Sequence, residues 1–218
     1  MLETVANQAG IAIENAKLLV RSAIVQEMHH RVKNSLQTVA SLLRLQRHTR
    51  TPADIGEVLD ECVQRIVTIA EVHELLSMEE LDEVSLRRIA EQIVTLTSRS
   101  LLSDQDRIST AVEGSDIRLP SHRATSVALI LNELLQNAIK HGFRGRREGN
   151  LRVLLTADDG RITLEVANDG APVPASFDPG TGGSLGLRIV ETLAREELGG
   201  TFALESGEWT RARVVFPR

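Results

Sequence analysis

One histidine near the start of the chain is placed to meet another molecule. His30 lies in the segment Glu27-Met28-His29-His30-Arg31-Val32-Lys33-Asn34, where apolar residues recur every three or four positions and predict an amphipathic helix. His29 falls on the apolar stripe, whereas His30 points about 140° away from it, toward solvent. Lys33 and Asn34 follow one turn later. The alternative is a solvent-facing histidine without a role.

A second segment, residues 131–141, brings three polar side chains to one side of a predicted helix. Glu133, Asn137 and Lys140 fall within about 60° of one another, and His141 ends the segment. Mg²⁺ keeps most of its waters and takes one or two protein oxygens, so Asn137 could be a ligand. Lys140 could meet a phosphate as a point charge. The alternative is a polar helix face stabilised by a contact between Glu133 and Asn137.

A third segment, Val166-Ala167-Asn168-Asp169-Gly170-Ala171-Pro172, closes a predicted strand. The carboxylate of Asp169, fixed at a strand end, suits the amino edge of a purine, and Gly170 would let a ring approach the backbone. Asn-Asp-Gly is also typical of a hairpin turn. However, residues 172–183 contain three prolines and do not alternate, so no partner strand follows.

A fourth segment is a glycine run that leads into a helix, Gly180-Thr181-Gly182-Gly183-Ser184-Leu185-Gly186-Leu187. Free backbone N–H groups at the helix start, with the hydroxyls of Thr181 and Ser184 beside them, form an anion site suited to phosphates. We assign Gly183, Leu185 and Gly186 to the same site. A flexible linker is the alternative. The run lacks both the lysine of a P-loop and the spacing of a dinucleotide fingerprint.

Composition limits the elements that must position these groups. The 218 residues are 42% hydrophobic but only 2% aromatic, which predicts an aliphatic core. The net charge is −5, with basic and acidic residues interleaved, so no nucleic-acid partner is expected. Cys62 is alone, which excludes an intrachain disulfide. No run of 18 apolar residues and no signal peptide occur, so we expect a cytoplasmic fragment without a membrane span.

The first eighty residues predict a helical hairpin. One helix continues to about Arg47, and Thr51-Pro52 supplies the cap and first turn of the next. Each helix carries one apolar stripe, and two helices alone cannot bury both. A second copy would complete a four-helix bundle, so we predict a homodimer. Residues Ile11, Leu18 and Val25, spaced by seven, suggest that the helix continues from an upstream part.

Past the acidic stretch 79–83 the pattern becomes mixed and predicts an α+β fold, a two-layer sandwich of helices on mostly antiparallel strands. The predicted helices are Leu86 to Leu101, Ser121 to His141 and Leu185 to Glu197. The predicted strands are Ile108 to Val112, Asp116 to Leu119, Leu151 to Thr156, Arg161 to Ala167, Thr201 to Glu205 and Arg211 to Phe216. Asp158-Asp159-Gly160 joins the third strand to the fourth as a hairpin turn.

In this order the four segments resemble the boxes of a sensor histidine kinase, from about Gln26 onward. Residues 30–34 resemble the H box, residues 132–141 the N box, residues 169–170 the first G box and residues 182–187 the second. The phrase HHRVKN followed by SLLRLQ is similar to the variant dimerisation domains allied to the HWE kinases.

The resemblance implies a dimerisation and phosphotransfer hairpin joined to an ATP-binding domain of the Bergerat (GHKL) fold. It implies His30 as phosphoacceptor, Asn137 as Mg²⁺ ligand and Asp169 as the acid that reads adenine. ATP would phosphorylate His30, and the phosphoryl group would pass to an aspartate in the receiver domain of a response regulator that docks near Lys33 and Asn34.

The same resemblance implies three domains. Residues 1–25 would be a signalling helix that ends an upstream GAF sensor domain, residues 26–80 the hairpin, and residues 81–218 the catalytic ATP-binding domain.

Two positions depart from the family pattern. Pro172 stands where the first G box usually has a second glycine. Arg31 follows the phosphoacceptor, where many histidine kinases have an acid. We therefore expect Glu27, one turn before His30, to hold the imidazole Nδ1–H so that Nε2 attacks.

Two other functions remain open at this point. A GHKL ATPase of the gyrase, chaperone or mismatch-repair type would use Glu133, four residues before Asn137, to activate water. A non-catalytic dimeric signalling module would bind no nucleotide.

Overall fold

The computed structural model describes residues 83–103, 105–173 and 185–218, together with Val63 and Val67. The proposed phosphoacceptor segment, with Glu27, His30, Lys33 and Asn34, lies outside these residues, as does almost all of the predicted hairpin. Val63 and Val67 are helical, lie one turn apart and are 54% and 43% exposed.

The described elements are seven strands and three α-helices. In chain order they are β1 (Glu83–Ser85), α1 (Leu86–Leu101), β2 (Arg107–Gly114), β3 (Arg118–Pro120), α2 (Ser121–Asn137), β4 (Glu148–Asp158), β5 (Arg161–Asn168), α3 (Leu185–Thr192), β6 (Thr201–Glu205) and β7 (Thr210–Pro217). Helices α2 and α3 each continue as a five-residue π-helical turn, Ala138–Gly142 and Leu193–Glu197.

Five strands form the main sheet in the order β2-β4-β5-β7-β6. Strand β4 pairs parallel with β2 and antiparallel with β5, and the remaining neighbours are antiparallel. β1 and β3 make a separate antiparallel pair. The predicted α+β fold of helices on a mostly antiparallel sheet is confirmed.

The core lies between one face of the sheet and the three helices. Alternate residues of each central strand are buried there, as period-two patterning requires. The most deeply buried are aliphatic apart from one phenylalanine: Val153, Ile162, Leu164, Val214 and Phe216 on the sheet, and Ala124, Ala128, Ile130, Val190 and Ala194 on the helices and the π turn after α3. On the other face Arg213 bridges Glu165 at 2.8 Å and Glu205 at 3.4 Å.

The strand predicted over Asp116 to Leu119 is wrong in its bounds. The strand runs over Arg118–Pro120, because Asp116 instead accepts a 2.5 Å hydrogen bond from Ser85 Oγ, the N-cap residue of α1. Its partner β1 was not predicted, since three residues beside an acidic stretch carry too little alternation to indicate a strand.

The two predicted helices that end at His141 and Glu197 do not stay α-helical to those ends. The π turns are closed by hydrogen bonds from Phe143 N–H to Ala138 O at 3.2 Å and from Leu198 N–H to Leu193 O at 3.1 Å. Phe143 and Leu198 are both buried, so the residue that follows each π turn packs its apolar side chain in the core.

No helix among the described residues is long and apolar enough to cross a membrane.

The central position of β5 generates a stability prediction. Leu164 is fully buried there, so Leu164→Ala is expected to lower the free energy of unfolding by about 2–5 kcal/mol through lost contacts and a residual cavity. Urea unfolding of the full chain, followed by the fluorescence of the single tryptophan Trp209, measures this. The neighbouring Thr163→Ala, on the opposite face, is the control and should cost about 1 kcal/mol or less. Equal losses in the two variants would contradict the assignment of the core face.

Candidate active site

The described part of the chain contains eight of the residues singled out from the sequence. They are Glu133, Asn137, Lys140, His141, Asp169, Gly170, Leu185 and Gly186. Thr181, Gly183 and Ser184 of the glycine run lie outside the described residues. The structure therefore describes the candidate site at α2, the end of β5 and the start of α3.

A glycine at the start of α3 allows this helix to pack closely against the last turns of α2. Gly186 is buried, and a Cβ added to it would lie 2.5 Å from Glu133 Oε2 and 3.6 Å from Asn137 Nδ2. A side chain at position 186 therefore has no room. The second glycine segment and the N-box-like segment, separated by some fifty residues in sequence, meet at this contact.

Glu133 does not lie on an exposed polar face of α2. It is only 4% exposed, because α3 packs over the side of the helix that carries it. Asn132, the preceding residue, is 3% exposed and accepts a 3.2 Å hydrogen bond from Thr97 Oγ1 of α1. The middle of α2 is thus buried on nearly every side.

Asn137 is half-buried, and its Nδ2 atom is buried without a hydrogen-bond partner among the described residues. An amide that is not committed to protein partners can offer its oxygen to a ligand. No group of three or more His, Cys, Asp or Glu side chains in the described ranges could hold a metal by itself. A single amide oxygen supplemented by water and phosphate oxygens fits the coordination that Mg²⁺ prefers.

Lys140 and His141 lie in the π turn that follows Asn137, and both are exposed. The turn therefore presents two polar side chains to solvent directly beyond the buried part of α2. Their position is compatible with contact to an anionic ligand that reaches Asn137.

Asp169 is tied to the neighbouring strand. Its Oδ1 accepts a 2.7 Å hydrogen bond from the Asn150 backbone N–H, and its Oδ2 accepts a 2.6 Å bond from Asn150 Nδ2. Burial raises the pKa of this carboxyl, but the two Asn150 bonds and the nearby charge of Arg146 outweigh burial and hold the pKa below 3.8. Arg146 also donates to the Asp169 carbonyl at 3.0 Å.

Position 170 must be a glycine because another backbone segment lies too close for a side chain. A Cβ on Gly170 would lie 2.1 Å from the carbonyl oxygen of Gly142, which also accepts a 2.6 Å hydrogen bond from Ala171 N–H. In the structure Gly170 makes room for the end of the π turn after α2. That it also lets a ligand ring approach the backbone stays a prediction.

Sequence reasoning missed Asn168. It is 3% exposed at the end of β5, and its Nδ2 lies within 2.4 Å of a Cβ built on Gly142. The signal was present in the strand pattern: Ile162, Leu164 and Val166 face the core, so Asn168 belongs to the same inward row. Asn150 and Arg146 were also missed, because they support Asp169 from a different strand and loop.

Comparisons with known proteins agree with this geometry. A family described as "Histidine kinase" matches residues 27–101, and one described as "Histidine kinase-, DNA gyrase B-, and HSP90-like ATPase" matches residues 122–218. The two matches follow one another and together take in most of the chain. The chain belongs to the histidine kinase family.

Curated relatives of this histidine kinase chain include two bacterial sensors. It is 35% identical to sensor histidine kinase PdtaS of Mycolicibacterium smegmatis over 86% of the chain and 38% of the relative. It is 36% identical to sensor histidine kinase PdtaS of Mycobacterium tuberculosis over 91% of the chain and 40% of the relative. The chain thus spans about two fifths of the length of these relatives.

Solved histidine kinases share the fold. The blue-light activated histidine kinase EL346 of Erythrobacter litoralis superposes with a TM-score of 0.74 at 20% identity, over 87% of this chain and 59% of that one. Histidine kinase ThkA, in complex with response regulator protein TrrA, gives a TM-score of 0.51 at 18% identity, over 93% and 63% of the two chains.

The contact between Gly170 and Gly142 predicts a steric penalty. Gly170→Ala is expected to lower the free energy of unfolding by about 1–3 kcal/mol, because the new methyl group would overlap a backbone carbonyl that cannot rotate away. Calorimetric melting of the full chain measures the change. Gly207→Ala is the control, since its Cβ would meet nothing closer than 3.9 Å. A Gly170→Ala variant as stable as Gly207→Ala would refute the close approach.

The hydrogen bonds from Asn150 predict a pH dependence. Asn150→Ala removes one of the two donors, so the pKa of Asp169 should rise from its depressed value toward or past 3.8. Titration of the Asp169 carboxyl carbon by NMR, from neutral pH down past pH 3.8, measures it. Thr156→Ala, an exposed change on the same strand, is the control and should leave the titration unchanged.

The lowered pKa of Asp169 makes the stability of the fold depend on pH. Because the unfolded chain binds this proton more readily, the ionised Asp169 stabilises the fold above pH 3.8, and the stabilisation is lost as pH falls through the folded-state pKa. The free energy of unfolding of the wild-type chain should therefore fall more steeply below pH 3.8 than that of Asp169→Asn. Parallel slopes for the two proteins would count against the Asn150 bonds.

Proposed function

We propose that this chain is the kinase core of a two-component sensor: it uses ATP to phosphorylate its own His30 and then passes the phosphoryl group to an aspartate of a response regulator. The observation that carries the proposal is the pairing, in one chain, of a histidine kinase match at residues 27–101 with an ATPase match at residues 122–218. His30 lies in the first match. Asn137 and Gly186, which meet in the structure, lie in the second.

We divide the chain as the sequence suggested. Residues 1–25 are the end of an upstream sensor domain, residues 26–80 the dimerisation and phosphotransfer hairpin, and residues 81–218 the catalytic domain. A kinase core that draws on ATP is expected to work in the cytoplasm.

The triphosphate of ATP would lie where α2 meets the start of α3. Asn137 would hold Mg²⁺ through its amide oxygen, with Lys140 and His141 close enough to contact phosphate oxygens. The backbone N–H groups at the start of α3, with Thr181, Gly183, Ser184, Leu185 and Gly186, would donate to the phosphates. When bound, Mg²⁺ supplies neutralisation of phosphate charge.

The phosphoryl step needs positioning rather than covalent help from the catalytic domain. Nε2 of neutral His30 attacks the γ-phosphorus, the bond to the β–γ bridging oxygen breaks, and ADP leaves. Glu27 accepts a hydrogen bond from Nδ1–H and takes that proton, so that the product is a neutral phosphoimidazole. Lys33 and Asn34 lie on the surface that a receiver domain would contact.

We further propose that the hairpin dimerises. Val63 and Val67 are helical and exposed at successive turns, which leaves apolar surface for a second copy to cover. A response regulator receiver domain is the other partner. The solved kinase ThkA has been captured with response regulator protein TrrA, and a comparable complex is our expectation for this chain.

An ATPase is the second candidate, because Glu133 is buried beside Asn137 and Gly186. A carboxylate in that place could orient an attacking water. In that case ATP would be hydrolysed to ADP and free phosphate without labelling the protein.

One experiment separates the candidates. The full chain is incubated with γ-labelled ATP and Mg²⁺, and protein-bound and free phosphate are both measured. We expect an acid-labile, alkali-stable label that is lost in His30→Gln, because the nucleophile is gone. The label should persist in the matched control His29→Gln, whose imidazole belongs to the apolar stripe.

The opposite outcomes are equally definite. Release of free phosphate that survives His30→Gln but is lost in Glu133→Gln would establish the ATPase. Absence of both label and release, with no heat of ATP binding by calorimetry, would establish the non-catalytic module.

A further inference from the structure

Asn168 occupies the junction between the end of α2 and the end of β5. It is the last residue of β5, it faces inward, and it is 3% exposed. Its Nδ2 atom lies 2.4 Å from a Cβ built on Gly142 and 2.9 Å from one built on Gly170. Two glycines on different elements therefore leave space that this amide fills.

The Asn168 amide has unused hydrogen-bonding capacity. Its Nδ2 is buried and has no partner among the residues that the structure describes. A buried donor left unpaired costs about 1–3 kcal/mol, so such groups usually meet a ligand or water. The adjacent Asp169 differs, because Asn150 already donates to both of its carboxylate oxygens.

Asn168 lies at a distance from Asn137 that a bound nucleotide could span. Gly142, which contacts Asn168, follows Asn137 by five residues, or about 7 Å along a helix axis. A nucleotide whose phosphates reach Asn137 and the start of α3 would extend its base toward the end of β5.

Building on the nucleotide binding proposed above, we propose that Asn168 faces the 6-position of the purine and that its amide lets the site accept 6-oxo purine nucleotides as well as ATP. An ionised carboxylate only accepts hydrogen bonds, so it suits the 6-amino group of adenine and repels a 6-oxo group. An amide carries an acceptor and a donor. Rotated by a half turn, Asn168 can accept from an amino group through Oδ1 or donate to an oxo group through Nδ2.

Calorimetric binding of two nucleotides to the full chain tests this. Inosine triphosphate replaces the 6-amino group of ATP by a 6-oxo group, with a proton on N1, and leaves the sugar and phosphates unchanged. In the presence of Mg²⁺ the dissociation constants of the wild-type chain for the two should agree within about tenfold. Asn168→Asp should raise the ratio of the inosine triphosphate constant to the ATP constant by at least about tenfold, because the new carboxylate repels the oxo group.

Asp169 is the rival for the same role, and it makes the opposite prediction. If Asp169 reads the base, Asp169→Asn should change the ratio and Asn168→Asp should not. That result overturns the inference, as does a wild-type chain that binds inosine triphosphate more than about tenfold more weakly than ATP.

Asn168→Ala provides the measurement if Asn168→Asp does not fold, as judged by the fluorescence of Trp209. Loss of the amide should weaken both nucleotides together, and unchanged affinity for either would overturn the inference. Failure of the nucleotide binding proposed above looks different: the wild-type chain would then bind neither nucleotide. A chain that binds and uses ATP normally but fails the ratio test would refute only the role of Asn168.

Discussion

The site depends on the close approach of two backbone segments where α2 ends and β5 ends. The carbonyl of Gly142 occupies the space that a side chain on Gly170 would need, and Ala171 N–H donates to it at 2.6 Å. This contact fixes the end of the helix that carries Asn137 against the strand that carries Asn168. Side chains in a core can adjust to small shifts of a helix. Where two backbone segments touch directly, as at Gly142 and Gly170, the relative position of helix and strand is more restricted.

A second close approach extends the same logic to α3. Gly186 lies against the side chains of Glu133 and Asn137, so the start of α3 approaches α2 with no side chain of its own at the contact. The end of α2, the end of β5 and the start of α3, which together form the candidate site, are therefore held by close contacts at glycines. Glycine gives up side-chain packing energy at each place, and in return it allows polar groups on separate elements to lie within one nucleotide's length of each other.

Most of the described α+β fold could be predicted from the sequence because its strongest patterns are local. The alternation of β5 and the apolar periodicity of α1 are visible within a few turns, and their bounds agree with the structure to within a residue. What could not be predicted is set by distant neighbours. β1 forms only because β3 pairs with it, and the burial of Glu133 follows from the packing of α3 fifty residues later.

The site residues show the same division. Chemistry singled out Asp169 because a carboxylate at a strand end is conspicuous, but its partner Asn150 lies on another strand and could not be seen in the pattern. Asn168 was less conspicuous, although its place in the inward row of β5 was readable. Strand alternation assigns adjacent residues to opposite faces, so in an Asn-Asp pair only one side chain continues the inward row.

The buried amides of the site also connect its stability to its ligand. Asn137 and Asn168 each bury an Nδ2 atom that pairs with no described residue, and a buried donor left unpaired generally costs free energy in the folded state. A ligand that supplies acceptors to both would bind only the folded state, and the free energy of unfolding would then rise with the logarithm of the ligand concentration above its dissociation constant. The same two amides would thus favour the ligand-bound form, which is expected of groups retained for binding rather than for packing.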